Sequence, residues 1–340
     1  MSHAVPILRW GIIGTGGIAS TFATDLALLP SAEIVAVGSR TQHSADSFGE
    51  RFAIPHRYAS YEALANDAEV DAVYVATPHP AHFACALLAI RAGKAVLVEK
   101  PFTLNGGEAR GLIAEAGAHG TFLMEAMWTR FLPHVVRIRQ LIADNRLGEI
   151  RSLTADFGEH FAEDATHRSF APDLGGGALL DLGVYPLSFA SMLFGRPDKI
   201  TARSHPAFTG VDSQTSVILE YAGGRQAVLF TTLEGHTSNR ASINGRDARI
   251  EISGDFFAPT TFRLIERDGA VEVHNIAHVG RGLRHQAAEV ARCVSAGLTE
   301  SPWMPLNESL AIMDTLDEIR RQIGLQYPHE SAHTHQSQRC

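Results

Sequence analysis

Apolar residues fall in short, evenly spaced runs over the first third of the chain. Residues 8–13, 34–37, 71–76, 95–98 and 121–125 are mostly apolar, the pattern of strands buried on both faces. Between them lie segments with helical spacing of apolar positions, one running to Leu29 and others over 82–92 and 105–119. Strand and helix in alternation predict a parallel, doubly wound sheet. An amphipathic helix is predicted over 133–145, and the pattern then changes. Residues 150–157, 199–204, 216–221, 226–232, 248–252 and 261–265 read as strands, with turn glycines at Gly223-Gly224, Gly245, Gly254 and Gly269, which predicts a largely antiparallel sheet. A glycine loop at Gly175-Gly176-Gly177 feeds an apolar helix that runs to Phe194, and helices over 284–296 and 307–323 close the chain.

Two patterns in 340 residues predict two domains, since one core rarely grows so large. The predicted bounds are 1–127 and 128–327, with 328–340 a disordered polar tail. Net charge is −8, which argues against nucleic acid or an anionic membrane as partner. Cys85, Cys293 and Cys340 are far apart and show no zinc-ligand spacing, which fits a reducing, cytoplasmic setting. No signal layout and no apolar run of membrane length is apparent. The 17 histidines are scattered, and no metal site is expected. His329, His333 and His335 belong to the polar tail.

The first strand ends in Gly14-Thr15-Gly16-Gly17-Ile18-Ala19, a G-x-G-x-x-A variant of the dinucleotide fingerprint. Gly14 allows the tight turn, Gly16 admits a pyrophosphate against the backbone, and Ala19 keeps helix close to strand. Gly17 and Ile18 sit where the helix N-terminus offers N–H groups to phosphate. After the second strand, where an NAD enzyme places an acidic residue for the ribose 2′-OH, the chain has Ser39 and Arg40, followed by His43. A guanidinium fork and a hydroxyl suit a 2′-phosphate, so NADP is expected over NAD. The alternative is that Arg40 only stacks on adenine. Ligands bind such sheets outside the C-terminal strand ends. Gly14, Ser39, Thr77, Lys100 and Glu125 all fall there, and Pro78, His79 and His82 lie on the same edge. The two histidines contact cofactor or substrate, or are simply solvated.

Only three lysines occur: Lys94, Lys100 and Lys199. Lys100 follows a buried-type strand inside Glu99-Lys100-Pro101. A lysine can shift its pKa where an arginine effectively cannot, so its choice here suggests chemistry. Asp181 and Tyr185 are four apart in the apolar helix after the glycine loop and share one face. Either they serve a site, or the carboxylate caps the helix start and the tyrosine is core.

Taken together, the fingerprint, Glu99-Lys100-Pro101 and the run G-G-G-A-L-L-D-x-G-x-Y ending at Tyr185 resemble the glucose–fructose oxidoreductase, inositol dehydrogenase and MocA family over nearly the whole chain. Glu125-Ala126-Met127-Trp128-Thr129-Arg130-Phe131 and Tyr185 are similar to its dimeric dihydrodiol dehydrogenase and NADP-dependent D-xylose dehydrogenase branch. Many relatives carry histidine where this chain has Tyr185, and Asp or His where it has Phe189. The resemblance implies an N-terminal Rossmann domain and a C-terminal α/β domain with a large open sheet, whose outer face makes a homodimer or a dimer of dimers. It implies catalytic roles for Lys100 and Tyr185 and places Trp128 beside nicotinamide or substrate. His160 to Arg168 would border the pocket, with Arg168 a cofactor or substrate contact.

Oxidising an alcohol requires acceptors for a hydride and for a proton. A phenol of pKa about 10 becomes a usable base when an ammonium lies near. The expectation is therefore Tyr185 as acid/base, Lys100 as its electrostatic tuner and substrate-oxygen donor, and Asp181 orienting Lys100 or the substrate hydroxyl. Trp128, Phe157 and Phe161, rimmed by Glu159, His160 and Arg168, suit the apolar face of a sugar or a cyclic diol equally. Glu99 completes the expected cofactor contacts. The alternatives are a related reductase, of the anhydrofructose reductase or glucose–fructose oxidoreductase type, and a non-catalytic cofactor-binding regulator.

Overall fold

Strand β1 (Leu8–Ile13) is buried along almost its whole length, and the sheet of the first unit forms around it. The structure is a computed structural model, which describes residues 6–328 and 330. The expected tail thus lies almost wholly outside the described residues. The other strands of this sheet are β2 (Ala32–Gly38), β3 (His56–Tyr58), β4 (Ala72–Val75), β5 (Ala95–Glu99) and β6 (Leu123–Ala126). All are parallel, in the order β3-β2-β1-β4-β5-β6. The order reverses between β1 and β4, and that switch point opens a crevice at the C-terminal strand ends. Helices α1 (Gly17–Leu26), α2 (Gln42–Arg51), α3 (Tyr61–Ala65), α4 (His82–Arg91) and α5 (Gly106–His119) connect the strands. Caps start three of them: Thr41 accepts from Ser44 N, Ser60 from Ala63 N, and Asn105 from Glu108 N. Trp10, Phe22 and Tyr74 form an aromatic column in the core, with Phe22 stacked on Tyr74 at 3.8 Å between ring centroids.

The division into compact units is not a single cut. The first unit comprises residues up to Phe131 together with Val279–Leu310, and the second comprises Leu132–His278 and the chain from Ala311. Helix α8 (Arg284–Ser295) therefore packs with the first unit. Buried Asp25 of α1 anchors it, accepting from the backbone N–H groups of Arg281 (2.8 Å) and Leu283 (2.7 Å).

The second unit begins with α6 (Pro133–Ala143) and holds β7 (Ile150–Gly158), α7 (Val184–Phe194), β8 (Lys199–Pro206), β9 (Asp212–Tyr221), β10 (Arg225–Thr232), β11 (Ala241–Gly245), β12 (Ala248–Ile252), β13 (Phe262–Glu266) and β14 (Val271–His274). The order is β14-β13-β12-β11-β7-β10-β9-β8. All pairs are antiparallel except β7 with β10. Buried and exposed positions alternate along β9 and β10, so one face packs inward and the other stays open. Helix α9 (Leu306–Ile323) closes the described chain, and its Gln322 bonds both Ala202 N and Ile200 O of β8, each at 2.9 Å. Contrary to the hydropathy reading, Pro172–Phe194 is long and apolar enough to cross a membrane. With 78% of that window buried inside the protein, its apolar side chains already have protein partners.

Candidate active site

The glycine turn is built as the fingerprint requires. Gly14 has φ +108°, and a Cβ there would stand 2.5 Å from Ala76 O of the neighbouring strand end, so only glycine fits. At Gly16 and Gly17 a Cβ would meet nothing within 4 Å. No side chain caps the N-terminus of α1, so its first N–H groups are open to an anion such as a pyrophosphate. Ser39 is buried at the end of β2, 3.4 Å from the Thr15 hydroxyl, while Arg40 and His43 are exposed beside it. A hydroxyl with an exposed cation is a donor set that fits a phosphorylated ribose.

At the ends of β4 and β5 the structure brings Thr77, His79, His82, Glu99 and Lys100 onto one edge. Glu99 is buried, and its carboxylate accepts from the Tyr74 hydroxyl and from Lys100 N (3.2 Å). His82 is wholly buried, not solvated. Its Nδ1 lies 2.9 Å from Pro101 O and its Nε2 2.9 Å from Thr77 O. Burial pushes the ring down to about 4, so the imidazole is neutral and its single N–H donates to one of the two carbonyls, while the other nitrogen packs beside the second. The ring packs between the loops that carry Thr77 and Lys100. Pro78 is exposed and His79 buried. At the end of β6, Glu125 is wholly buried, and burial pushes its carboxyl up to about 7 against the opposing pull of Ser309 and Arg130. The guanidinium of Arg130 pairs at 2.6 Å with Glu308. Trp128 lies in the short 3₁₀ turn Trp128–Phe131 that follows and is buried.

Tyr185 and Asp181 belong to the second unit. The segment Leu179–Gly183 is a π-helical turn that runs into α7, instead of the plain α-helix expected; such turns recur at functional sites. The glycine loop before it is sterically required. A Cβ on Gly176 would lie 2.8 Å from Ser169 O, and Gly177, at φ +118°, would drive one 2.2 Å from Asp212 Oδ1. Asp212 in turn accepts from Leu179 N (2.8 Å) and the Thr215 hydroxyl (2.7 Å), and Tyr327 donates to Gly176 O (2.6 Å). Asp181 is buried and ion-paired to exposed Arg168 at 3.0 Å. The Tyr185 ring is flanked by Phe157 (5.5 Å between centroids) and Phe257 (5.4 Å), which stack on each other at 3.8 Å. Phe161 instead faces His167 at 5.3 Å.

Sequence reasoning missed Tyr74, Phe257 and Asp212. Tyr74 is the one hydroxyl in the run 71–76. Phe257 and Asp212 lie at a loop and a strand start, with no local signal linking them to Tyr185.

Two family descriptions match the chain. "Oxidoreductase family, NAD-binding Rossmann fold" matches residues 8–127, and "GFO/IDH/MocA C-terminal domain" matches 135–255. The chain belongs to the Gfo/Idh/MocA oxidoreductase family. Its first unit is accordingly a Rossmann dinucleotide-binding fold and its second the family's mixed, mostly antiparallel α/β domain. Similar proteins include trans-1,2-dihydrobenzene-1,2-diol dehydrogenases from Bos taurus (40% identical) and Sus scrofa (41%), each match covering 95% of this chain and 99% of the relative. Among solved structures, a 3-ketoreductase from Actinomadura kijaniata in complex with NADP and TDP-benzene is 29% identical, with a TM-score of 0.83 over 93% of this chain and 98% of that one. An aldose-aldose oxidoreductase from Caulobacter crescentus complexed with glycerol is 25% identical, with a TM-score of 0.85 over 93% and 97%.

Proposed function

We propose that this family member is an NADP-dependent oxidoreductase acting on a ring-borne secondary alcohol, with a trans-dihydrodiol as the favoured substrate class. The observation that carries this reading is the setting of Tyr185: a phenol in the first turn of α7, just after a π-helical turn, flanked by the stacked rings of Phe157 and Phe257. Stacked aromatic faces favour a flat, unsaturated ring over a fully hydroxylated one. The full-length similarity to dihydrodiol dehydrogenases points the same way.

Bound NADP supplies the hydride acceptor. The glycine turn receives its pyrophosphate through α1 N–H groups, and Ser39 and Arg40, with His43 beside them, receive the 2′-phosphate. Thr77, Pro78, His79, Glu99 and Trp128 border the nicotinamide end. Tyr185 takes the hydroxyl proton, and Lys100 lowers the phenol's pKa and donates to the substrate oxygen. Asp181, held by Arg168, orients the hydroxyl one helical turn from Tyr185. Phe157, Phe161 and Trp128 contact the ring of the substrate.

A sugar is the second reading, favoured by the polar rim of exposed Glu159, His160 and Arg168 and by the fold shared with the aldose-aldose oxidoreductase. A panel of trans-dihydrodiols, aldoses and anhydrosugars, assayed with NADP and with NAD by cofactor absorbance, separates the readings. Diol oxidation with the highest kcat/KM supports the first, and aldose turnover supports the second. Tight cofactor binding without turnover of any member, in either direction, overturns both in favour of a regulator. The proposal includes a homodimer or dimer of dimers through the open face of the eight-stranded sheet, where Ile218 and Val228 are exposed directly opposite one another. It also includes a reducing, cytoplasmic setting, in keeping with unbridged, buried Cys85 and Cys293.

A further inference from the structure

With Lys100 as the substrate-facing cation of the proposed function, we propose that Tyr74 and Glu99 are positioning residues that set Lys100 in place from the glycine-turn helix. Tyr74 lies in the middle of β4 and pairs in register with Leu97 of β5. Glu99 is two residues further along β5, so Tyr74 and Glu99 share one face of the sheet. Across that face the Tyr74 hydroxyl donates to Glu99 Oε1. The other carboxylate oxygen accepts the backbone N–H of Lys100 at 3.2 Å. Both side chains are buried. On the same face the Tyr74 ring stacks on Phe22 at 3.8 Å and 21°. Phe22 belongs to α1, whose N-terminus is the glycine turn. Glu125 on the adjacent strand pairs with Val98 and so projects from the opposite face.

A carboxylate at this depth is costly unless donors hold it. Here one donor comes from a tyrosine wedged against α1 and another from the backbone of the residue it serves. The arrangement is a chain: the helix that receives phosphate fixes Phe22, Phe22 fixes the Tyr74 ring, Tyr74 fixes Glu99, and Glu99 fixes the strand end that carries Lys100. A strand end needs no such device for stability, since β5 is already paired on both sides. Displacement of a catalytic group by about 1 Å costs on the order of a hundredfold in rate, which is the gain such a device supplies.

The test uses Tyr74→Phe, which keeps the stacked ring and removes only the hydroxyl, together with Glu99→Gln and the double variant. In the full-length enzyme the expected result is a kcat lowered about tenfold or more in each single variant. The NADP Kd of Tyr74→Phe stays within about twofold, and the double variant has a kcat no worse than the poorer single, because both changes break one chain. Lysine-selective 15N labelling gives a readout independent of turnover. The chain has three lysines, so three backbone amide signals report, with Lys100 assigned by its loss in Lys100→Arg. The Lys100 signal is expected to move in Tyr74→Phe while those of Lys94 and Lys199 hold. An unmoved Lys100 signal, or kcat losses that multiply in the double variant, overturns the proposal. If the wild type turned over no substrate in the panel, the functional reading would fall, and the amide signal alone would decide this one.

Discussion

At the scale of single residues, the account rests on a few side chains whose environments differ from water. Lys100 is half-buried at a strand end, its backbone N–H held by Glu99. Arginine keeps the charge but not the compact ammonium, so Lys100→Arg is expected to lower kcat at least about a hundredfold with NADP binding retained, as read by steady-state kinetics and cofactor titration. Arg40 is exposed at the end of β2. Arg40→Ala should weaken NADP by about tenfold to a hundredfold, the span of a lost charge-assisted hydrogen bond, and leave NAD affinity unchanged in the same titration. Glu125 yields a prediction in pH. Its folded pKa, raised to about 7 by burial, exceeds that of the unfolded chain. Its contribution to stability is therefore full below the unfolded carboxylate range and is lost as pH rises through about 7. Glu125→Gln keeps the neutral shape and should gain on the wild type by up to about 3 kcal/mol between pH 5 and pH 8, measured as the difference in urea midpoints.

Among the elements, the π-helical turn that leads into the helix of Tyr185 shows how local sequence and distant contacts divide the work. Gly177 sits at φ +118° with Asp212 Oδ1 where a Cβ would go. Gly177→Ala is expected to cost about 1–3 kcal/mol, seen as a lowered denaturation midpoint, and to reduce kcat by shifting the π-helical turn. Periodicity and turn chemistry made most of this architecture readable from the chain alone. The apolar runs that became β1, β4 and β5 are nearly continuous, and the glycine fingerprint marks the start of α1. What escaped lacks such a signal. Strand β3 is three half-buried residues, His56-Arg57-Tyr58, without an apolar run. Strand β14 is exposed along three of its four residues, so no apolar alternation marks its pairing with β13. The π-helical turn depends on Asp212, 33 residues from the Leu179 N–H it accepts. The return of α8 to the first unit depends on Asp25, more than 250 residues away in sequence. His82 read as a surface helix start because sequence spacing does not reveal that two loop carbonyls enclose its ring.

For the molecule as a whole, family membership and the fold of both units follow from sequence profile and structure together. The open face of the second sheet pairs Ile218 with Val228 across β9 and β10, both exposed. Ile218→Lys with Val228→Lys should convert a dimer to a monomer in sedimentation equilibrium, with secondary structure intact by circular dichroism; a wild type that is monomeric at micromolar concentration would remove the dimer from the account. The central claim is that Tyr185 carries the proton in an NADP-dependent alcohol oxidation. It is tested most directly by single-turnover NADP reduction with a trans-dihydrodiol, comparing wild type and Tyr185→Phe at saturating cofactor. Loss of general acid/base catalysis predicts a rate lower by about 10²–10⁴ with NADP affinity unchanged, whereas a Tyr185→Phe rate near that of the wild type would contradict it.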